Sequence, residues 1–141
     1  MARKLAALAV LGAAALGLAV TCTLAAQKTR TVRDGVFSPV QVARGARVFG
    51  SICANCHEIA EFVGDDAYLE EVEGKPLWET FDFVSTEMPE DDPGSLRLEE
   101  YAAVLAYIFS VYGLPSGDAE LAVDKKSLDA ITIVAPARPG S

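Results

Sequence analysis

The chain has 141 residues, of which 12 are Lys or Arg and 20 are Asp or Glu, for a formal net charge of −8. That length predicts one small domain with appended segments, and so small a domain buries too little surface to be very stable by hydrophobicity alone. The acidic balance argues against a nucleic-acid-binding protein and favours partners with a basic face.

The first 26 residues have the pattern of an export signal. Arg3 and Lys4 precede an uncharged run from Leu5 to Ala26 that ends in small residues, as a cleavage site requires. Removal of this segment leaves 10 basic against 20 acidic residues. Two alternatives stay open. A run of 22 residues is long enough to remain as a membrane anchor, and Cys22 is a possible lipid site, although Thr21 before it disfavours that modification.

The next segment contains a linker and then a helix start. Residues 27–37 are polar and basic, and they predict a linker or an irregular arm. Ser38 is placed to cap a helix, Pro39 suits its first position, and Gln41 is placed to close a capping box. Apolar or small residues then recur on one helical face from Val42 to Cys53.

The remaining elements are also predicted to be helical. Residues 58–76 predict mostly loop with one short helical turn around Tyr68–Val72. An apolar helical face runs from Leu77 to Met88, and the strongest amphipathic pattern extends from Leu98 to Tyr112. The tail carries one apolar patch, Leu128–Val134, that predicts a packed extension. Because no convincing run of alternating strands is present, the predicted fold class is all-α.

Residues 53–57 form a C-x-x-C-H run, Cys53-Ala54-Asn55-Cys56-His57, which is the attachment pattern for a c-type haem. Thiols at this spacing can reach the vinyl groups on two adjacent pyrrole rings, and the following imidazole is then directed at the iron.

Three other uses of this cysteine pair are weaker. A zinc site needs roughly four N or S ligands, whereas the chain offers only Cys22 as a further cysteine and has no second His. A thioredoxin-like redox pair needs a βαβ context. A disulfide between Cys53 and Cys56 closes too short a loop to stabilise much.

A second iron ligand is selected by elimination. The chain has one His and two Met, and Met1 belongs to the export signal. Met88 is then the only thioether left, at the end of its apolar helical face and before Pro89. A lone Met more commonly packs in a core, and Lys75 as ligand or an open coordination position remain alternatives. Trp78 suits contact with the haem and packing of its helix onto the core equally well.

The chain resembles the class I cytochrome c family across residues 38–121. The matching motifs are Gly45-x-x-x-Phe49-x-x-x-Cys53-x-x-Cys56-His57, Met88-Pro89 and Ala106-Tyr107-Ile108. The resemblance implies a small cytochrome c fold wrapped around one covalently bound haem c, with His57 and Met88 as axial ligands. It also implies that the first and last helices cross with Gly45 against Tyr107.

This resemblance divides the chain into an export signal or anchor (1–26), a linker (27–37), a cytochrome c domain (38–121) and a C-terminal extension (122–141). Motifs between residues 87 and 117 further resemble a bacterial subgroup that serves periplasmic dehydrogenases.

The implied function is one-electron transfer between exported or membrane redox proteins, not catalysis by this chain alone. The implied location is the periplasm or the periplasmic face of the membrane, with a retained anchor favouring a membrane complex. A haem-based gas or ligand sensor and a structural cytochrome subunit of a larger redox complex remain alternatives. Because Glu58 stands where many relatives have Gly, and their Gly-Pro loop is missing, the sequence assigns no hydrogen-bond partner to the His57 ring.

Overall fold

The computed structural model describes residues 29–63 and 68–134. The predicted export signal, its alternative as an anchor and the possible lipid on Cys22 all lie outside these residues. Within them, 53% of the residues are helical and the sheet has two strands, so the protein is mainly helical. No helix in the described ranges is long and apolar enough to cross a membrane.

The elements follow one another with short connections. In chain order they are β1 (Arg30–Thr31), α1 (Pro39–Ser51), a 3-10 turn (Cys53–Asn55), α2 (Ala60–Val63), α3 (Tyr68–Glu71), α4 (Leu77–Glu87), α5 (Leu98–Val111), α6 (Lys125–Asp129) and β2 (Ile131–Thr132). The predicted helices at α1, α3, α4 and α5 are confirmed, whereas α2 lies in a stretch that was expected to be loop.

Helix α1 begins where the sequence predicts, but the side chain of Gln41 does not cap it. The Ser38 hydroxyl accepts a hydrogen bond from the Gln41 N–H at 3.1 Å, and Pro39 occupies the first turn. The capping-box role predicted for Gln41 is wrong. Its buried amide donates to the carbonyl of Leu121 at 3.1 Å and accepts from the N–H of Leu121 at 2.7 Å. A buried carboxamide needs partners for both its donor and its acceptor, and Leu121 supplies both.

Helices α1 and α5 cross at Gly45. A Cβ atom added there would lie 1.8 Å from the carbonyl oxygen of Ala103 and 3.0 Å from the Cβ of Tyr107. Real atoms do not approach so closely, so a glycine is required for this backbone contact. The expected approach of Gly45 to Tyr107 is therefore present, with Ala103 as the closer neighbour.

Residues 29–37, the described part of the predicted linker or irregular arm, are irregular apart from β1 but pack onto the rest of the protein. Val32, Val36 and Phe37 are buried, and the Phe37 ring lies 6.0 Å from that of Phe109. These few apolar residues are spaced too irregularly to produce a periodic pattern among the charged ones. The segment becomes ordered by packing on α5 and on the tail, which no local pattern indicates.

The apolar patch of the tail packs as expected. Leu128, Ile131 and Ile133 are buried, and β2 pairs with β1 in parallel. Ile133 is also fixed through its backbone: its N–H donates to the Lys75 carbonyl at 3.0 Å, and its carbonyl accepts from the Gly74 N–H at 2.9 Å. The hydrophobic core therefore extends at both ends beyond the residues 38–121 that carry the family resemblance.

Candidate functional site

A cavity of about 800 Å³ lies between α1, α4 and α5. This volume falls within the roughly 300–1,000 Å³ that is common for small-molecule and cofactor sites. Most of its lining is apolar, with Phe49, Ile52, Phe62, Phe83, Val84, Leu96, Val104, Leu105 and Ile108 among the contributors. The acidic residues in the lining are Glu90 and Asp91, and none of the described lining residues is Lys or Arg.

The residues predicted to bind the haem all line this one cavity: Cys53, Cys56, His57 and Met88. The first three lie in and just after the 3-10 turn that follows α1, and Met88 is the residue at which α4 ends. Two segments that are distant in the sequence thus supply thiols, an imidazole and a thioether to a single apolar space.

The cysteine segment, residues 53–57, forms a tight backbone turn. The N–H groups of Cys56 and His57 both donate to the carbonyl of Cys53, at 3.1 Å and 2.9 Å. Both thiols are free, so the disulfide alternative has no support in the structure. Cys56 is exposed and Cys53 is half-buried, and burial raises the pKa of the Cys53 thiol above its ordinary value.

The imidazole of His57 has a partner that the sequence left unassigned. Its Nδ1 lies 3.0 Å from Oε2 of Glu61, whose other carboxylate oxygen accepts the Glu58 N–H at 3.0 Å. The Glu58 N–H and then the His57 ring lower the pKa of the Glu61 carboxyl. An ionised carboxylate only accepts, so Nδ1 is the donor in this hydrogen bond, and in the neutral ring the lone pair then lies on Nε2.

An aromatic contact supports the same ring. Phe62 meets the His57 imidazole nearly edge-on, with ring centroids 5.5 Å apart, and Phe49 of α1 meets Phe62 at 6.0 Å. Neither Glu61 nor Phe62 was singled out from the sequence. The available signal was the spacing of three residues between Glu58 and Glu61, because a Glu at that spacing can accept a backbone N–H at the start of a helix.

The backbone at Met88 is held by a side chain of α5. The Tyr101 hydroxyl donates to the Met88 carbonyl at 2.6 Å and accepts the Leu96 N–H at 3.3 Å. The Gly94 N–H donates to the same Met88 carbonyl at 3.2 Å. Tyr101 is only 2% exposed, so it links the methionine segment to the core. No local pattern in the sequence pairs it with Met88.

Lys75 was an alternative iron ligand and Trp78 a possible contact of the haem, but both lie outside the cavity lining. Neither Lys75 nor Trp78 is among the described residues that line it. The Trp78 ring packs 5.7 Å from that of Phe81, and the ammonium group of Lys125 in α6 lies 5.4 Å from its ring centre. The packing alternative for Trp78 is therefore the one that the structure supports.

The described ranges contain no group of three or more His, Cys, Asp and Glu side chains that could hold a metal ion. The zinc alternative for the cysteine pair therefore has no ligand set within residues 29–63 and 68–134.

No family model, curated protein or solved structure matches the chain. The residues that line the cavity offer two thiols, an imidazole and a thioether to a mainly apolar space.

Proposed function

We propose that the protein carries single electrons by means of one haem c held covalently in this cavity. The observation that carries the proposal is the convergence of Cys53, Cys56, His57 and Met88 on one apolar cavity of about 800 Å³. A macrocycle that is apolar over most of its surface requires an apolar site of this kind, with polar donors at only a few points.

Each residue has a defined role in this proposal. The thiols of Cys53 and Cys56 would hold the haem covalently, each as a thioether at one of its vinyl groups. His57 through Nε2 and Met88 through its sulfur would be the protein ligands of the iron. When bound, the haem supplies an iron that is stable as Fe(II) and as Fe(III), with a potential raised by the Met ligand.

The surrounding residues keep both ligands in place. Tyr101 fixes the Met88 backbone and Glu61 orients the His57 ring, while the apolar wall limits the access of water. A saturated iron has no open position for substrate, so we propose a carrier and not an enzyme. The finer fold that we propose is a small cytochrome c fold, which the crossing of α1 and α5 at Gly45 supports.

We further propose that the redox partners carry a basic docking face and meet this protein at the cavity mouth. Glu90 and Asp91 lie in the cavity lining and are exposed, as is the Phe83 ring at 48%. An acidic rim around an apolar contact accelerates encounter with a basic surface. The proposed location is the periplasm or the periplasmic face of the membrane, where a retained anchor would allow a membrane complex.

Optical spectra of the exported, haem-matured protein test the central proposal. We expect a c-type α-band that survives acid-acetone extraction and a weak far-red sulfur-to-iron band in the oxidised form. Met88→Ala should abolish the far-red band and allow the reduced form to bind carbon monoxide, whereas Lys75→Ala should change neither. Covalent haem that lacks the band and binds carbon monoxide in the wild type would favour a sensor. The absence of haem would overturn the proposal.

The docking proposal is tested by charge reversal. Glu90→Lys with Asp91→Lys should slow electron transfer to a basic acceptor protein and flatten the salt dependence of the rate. Glu71→Lys with Glu79→Lys is the matched control, because it reverses the same number of charges at two exposed acids outside the cavity lining. Equal effects from the two sets of changes would contradict a docking face at the cavity mouth.

A further inference from the structure

The carboxylate of Glu61 is bound at both of its oxygens. Oε2 lies 3.0 Å from Nδ1 of His57, and Oε1 accepts the backbone N–H of Glu58 at 3.0 Å. The second contact orients the carboxylate, because it fixes Glu61 to the backbone of the residue that directly follows His57. The carboxylate is therefore positioned toward the imidazole and is not a freely rotating surface group.

The opposite side of the interaction is also constrained. Phe62, the next residue after Glu61, meets the His57 ring edge-on at 5.5 Å. The side chains of His57 and Glu61 are 38% and 52% exposed, so the hydrogen bond lies where water can compete for it. The backbone contact and the aromatic ring together hold the Glu61 carboxylate and the His57 imidazole in one relative orientation.

We propose that Glu61 is a positioning residue that sets the reduction potential of the iron through the His57 imidazole. This inference rests on the proposed function, since it requires the haem iron to be bound at Nε2 of His57. A carboxylate that accepts the Nδ1–H of a ligating histidine fixes the ring orientation and makes Nε2 a stronger electron donor. A stronger donor stabilises Fe(III) relative to Fe(II), so Glu61 lowers the potential that the His/Met pair would otherwise have.

The decisive variant is Glu61→Gln, which keeps an oxygen able to accept the Nδ1–H but removes the charge. At a fixed applied potential, the ratio of Fe(II) to Fe(III) should rise about tenfold, which corresponds to a midpoint higher by about 59 mV for a one-electron couple. Spectroelectrochemical titration of the haem-loaded protein measures this change. Glu61→Ala, which also removes the hydrogen bond, should raise the midpoint at least as far.

Glu90→Gln is the matched control, because it removes one negative charge from the cavity lining without touching His57. A second readout is the NMR signal of the His57 Nδ1–H in the reduced protein. It should move upfield in Glu61→Gln, because the acceptor is weaker, and stay in place in Glu90→Gln.

The outcomes separate the two proposals. If the wild type carries covalent haem and Glu61→Gln shifts the midpoint no more than Glu90→Gln does, the role of Glu61 is overturned while the electron carrier stands. An unmoved Nδ1–H signal in Glu61→Gln would have the same meaning. If the wild type carries no covalent haem, the proposed function itself is lost, and the inference falls with it.

Discussion

The two apolar regions of the molecule differ in what completes them. One, here called the self-enclosed core, is built around Phe37, Phe109, Leu128 and Ile133 and is closed by β1, α6 and β2. The other, the cavity wall, consists of Phe49, Val104 and Ile108, all of which line the cavity. The first region excludes water with side chains from both ends of the chain. The second presents its apolar side chains to the cavity, which in our proposal is the space for the haem.

Matched truncations of one isoleucine from each region should give the largest effect. Ile133 is fully buried in the self-enclosed core, whereas Ile108 borders the cavity. Ile133→Ala should lower the free energy of unfolding by about 2–5 kcal/mol, because it leaves a new void among packed neighbours. In protein made without haem, Ile108→Ala should cost about half as much, since one side of that residue already lacks packed atoms.

Urea unfolding of both variants measures the difference. With haem attached, the cost of Ile108→Ala should rise toward that of Ile133→Ala, because the haem would then supply the missing contacts. Equal losses in the haem-free protein would mean that the cavity wall is packed as fully as the core, and the comparison would fail.

A pair of glycines in α1 tests how the two regions are joined. At Gly45 an added methyl group would overlap the carbonyl of Ala103, whereas nothing lies within 4 Å of the corresponding position at Gly50. Gly45→Ala should therefore destabilise by about 1–3 kcal/mol and disturb haem attachment, because α1 leads directly into the cysteine segment. Gly50→Ala should stabilise the protein by about 0.5–1 kcal/mol.

Thermal unfolding and the yield of covalent haem are the measurements for this pair. A loss of stability in Gly45→Ala without any loss of haem attachment would show that the crossing supports the self-enclosed core but not the cavity. If neither variant changed the thermal stability, the close contact between α1 and α5 at Gly45 would be contradicted.

The features that the sequence predicts are those whose cause is local. Ser38 caps α1 because its own hydroxyl reaches an N–H a few residues away, and the face from Leu98 to Tyr112 reflects the helical repeat. The bonds between Gln41 and Leu121 join residues 80 positions apart. A local pattern assigned Gln41 to the helix start, because nothing in a short window of sequence reveals a partner at that distance.

The site divides in the same way. Cys53, Cys56 and His57 lie within five residues and are predicted as haem-binding residues from their spacing, and Met88 is predicted because few sulfur atoms are left to choose. Its contact with Tyr101 depends on how α4 and α5 pack, which no spacing encodes. Glu61 is an intermediate case. Its separation from His57 can be read from the sequence, but the sequence predicts mostly loop in this segment, so that separation alone predicted no contact.

The smallest expected effect concerns an ion pair that fastens α1 to the segment leading into the tail. Arg44 donates to Glu120 through both terminal nitrogens, at 3.2 Å and 2.7 Å, and the Arg44 hydrogen bond holds the pKa of the Glu120 carboxyl below its ordinary value. Because that pKa is depressed in the folded state, the pair stabilises the protein above the unfolded-state pKa of the carboxyl. The contribution is lost as the pH falls through the folded-state pKa.

A double-mutant cycle with Arg44→Ala and Glu120→Ala should give a coupling of at most about 1 kcal/mol near neutral pH, because both side chains are partly exposed and screened by solvent. The coupling should shrink in high salt and vanish in acid once Glu120 is protonated. Arg97 and Glu100, an exposed pair three residues apart in the sequence, provide the control for a purely local contact. If the Arg44–Glu120 coupling persisted in acid, the coupling would come from packing and not from charge. The contact between α1 and the segment leading into the tail would then not require the ion pair.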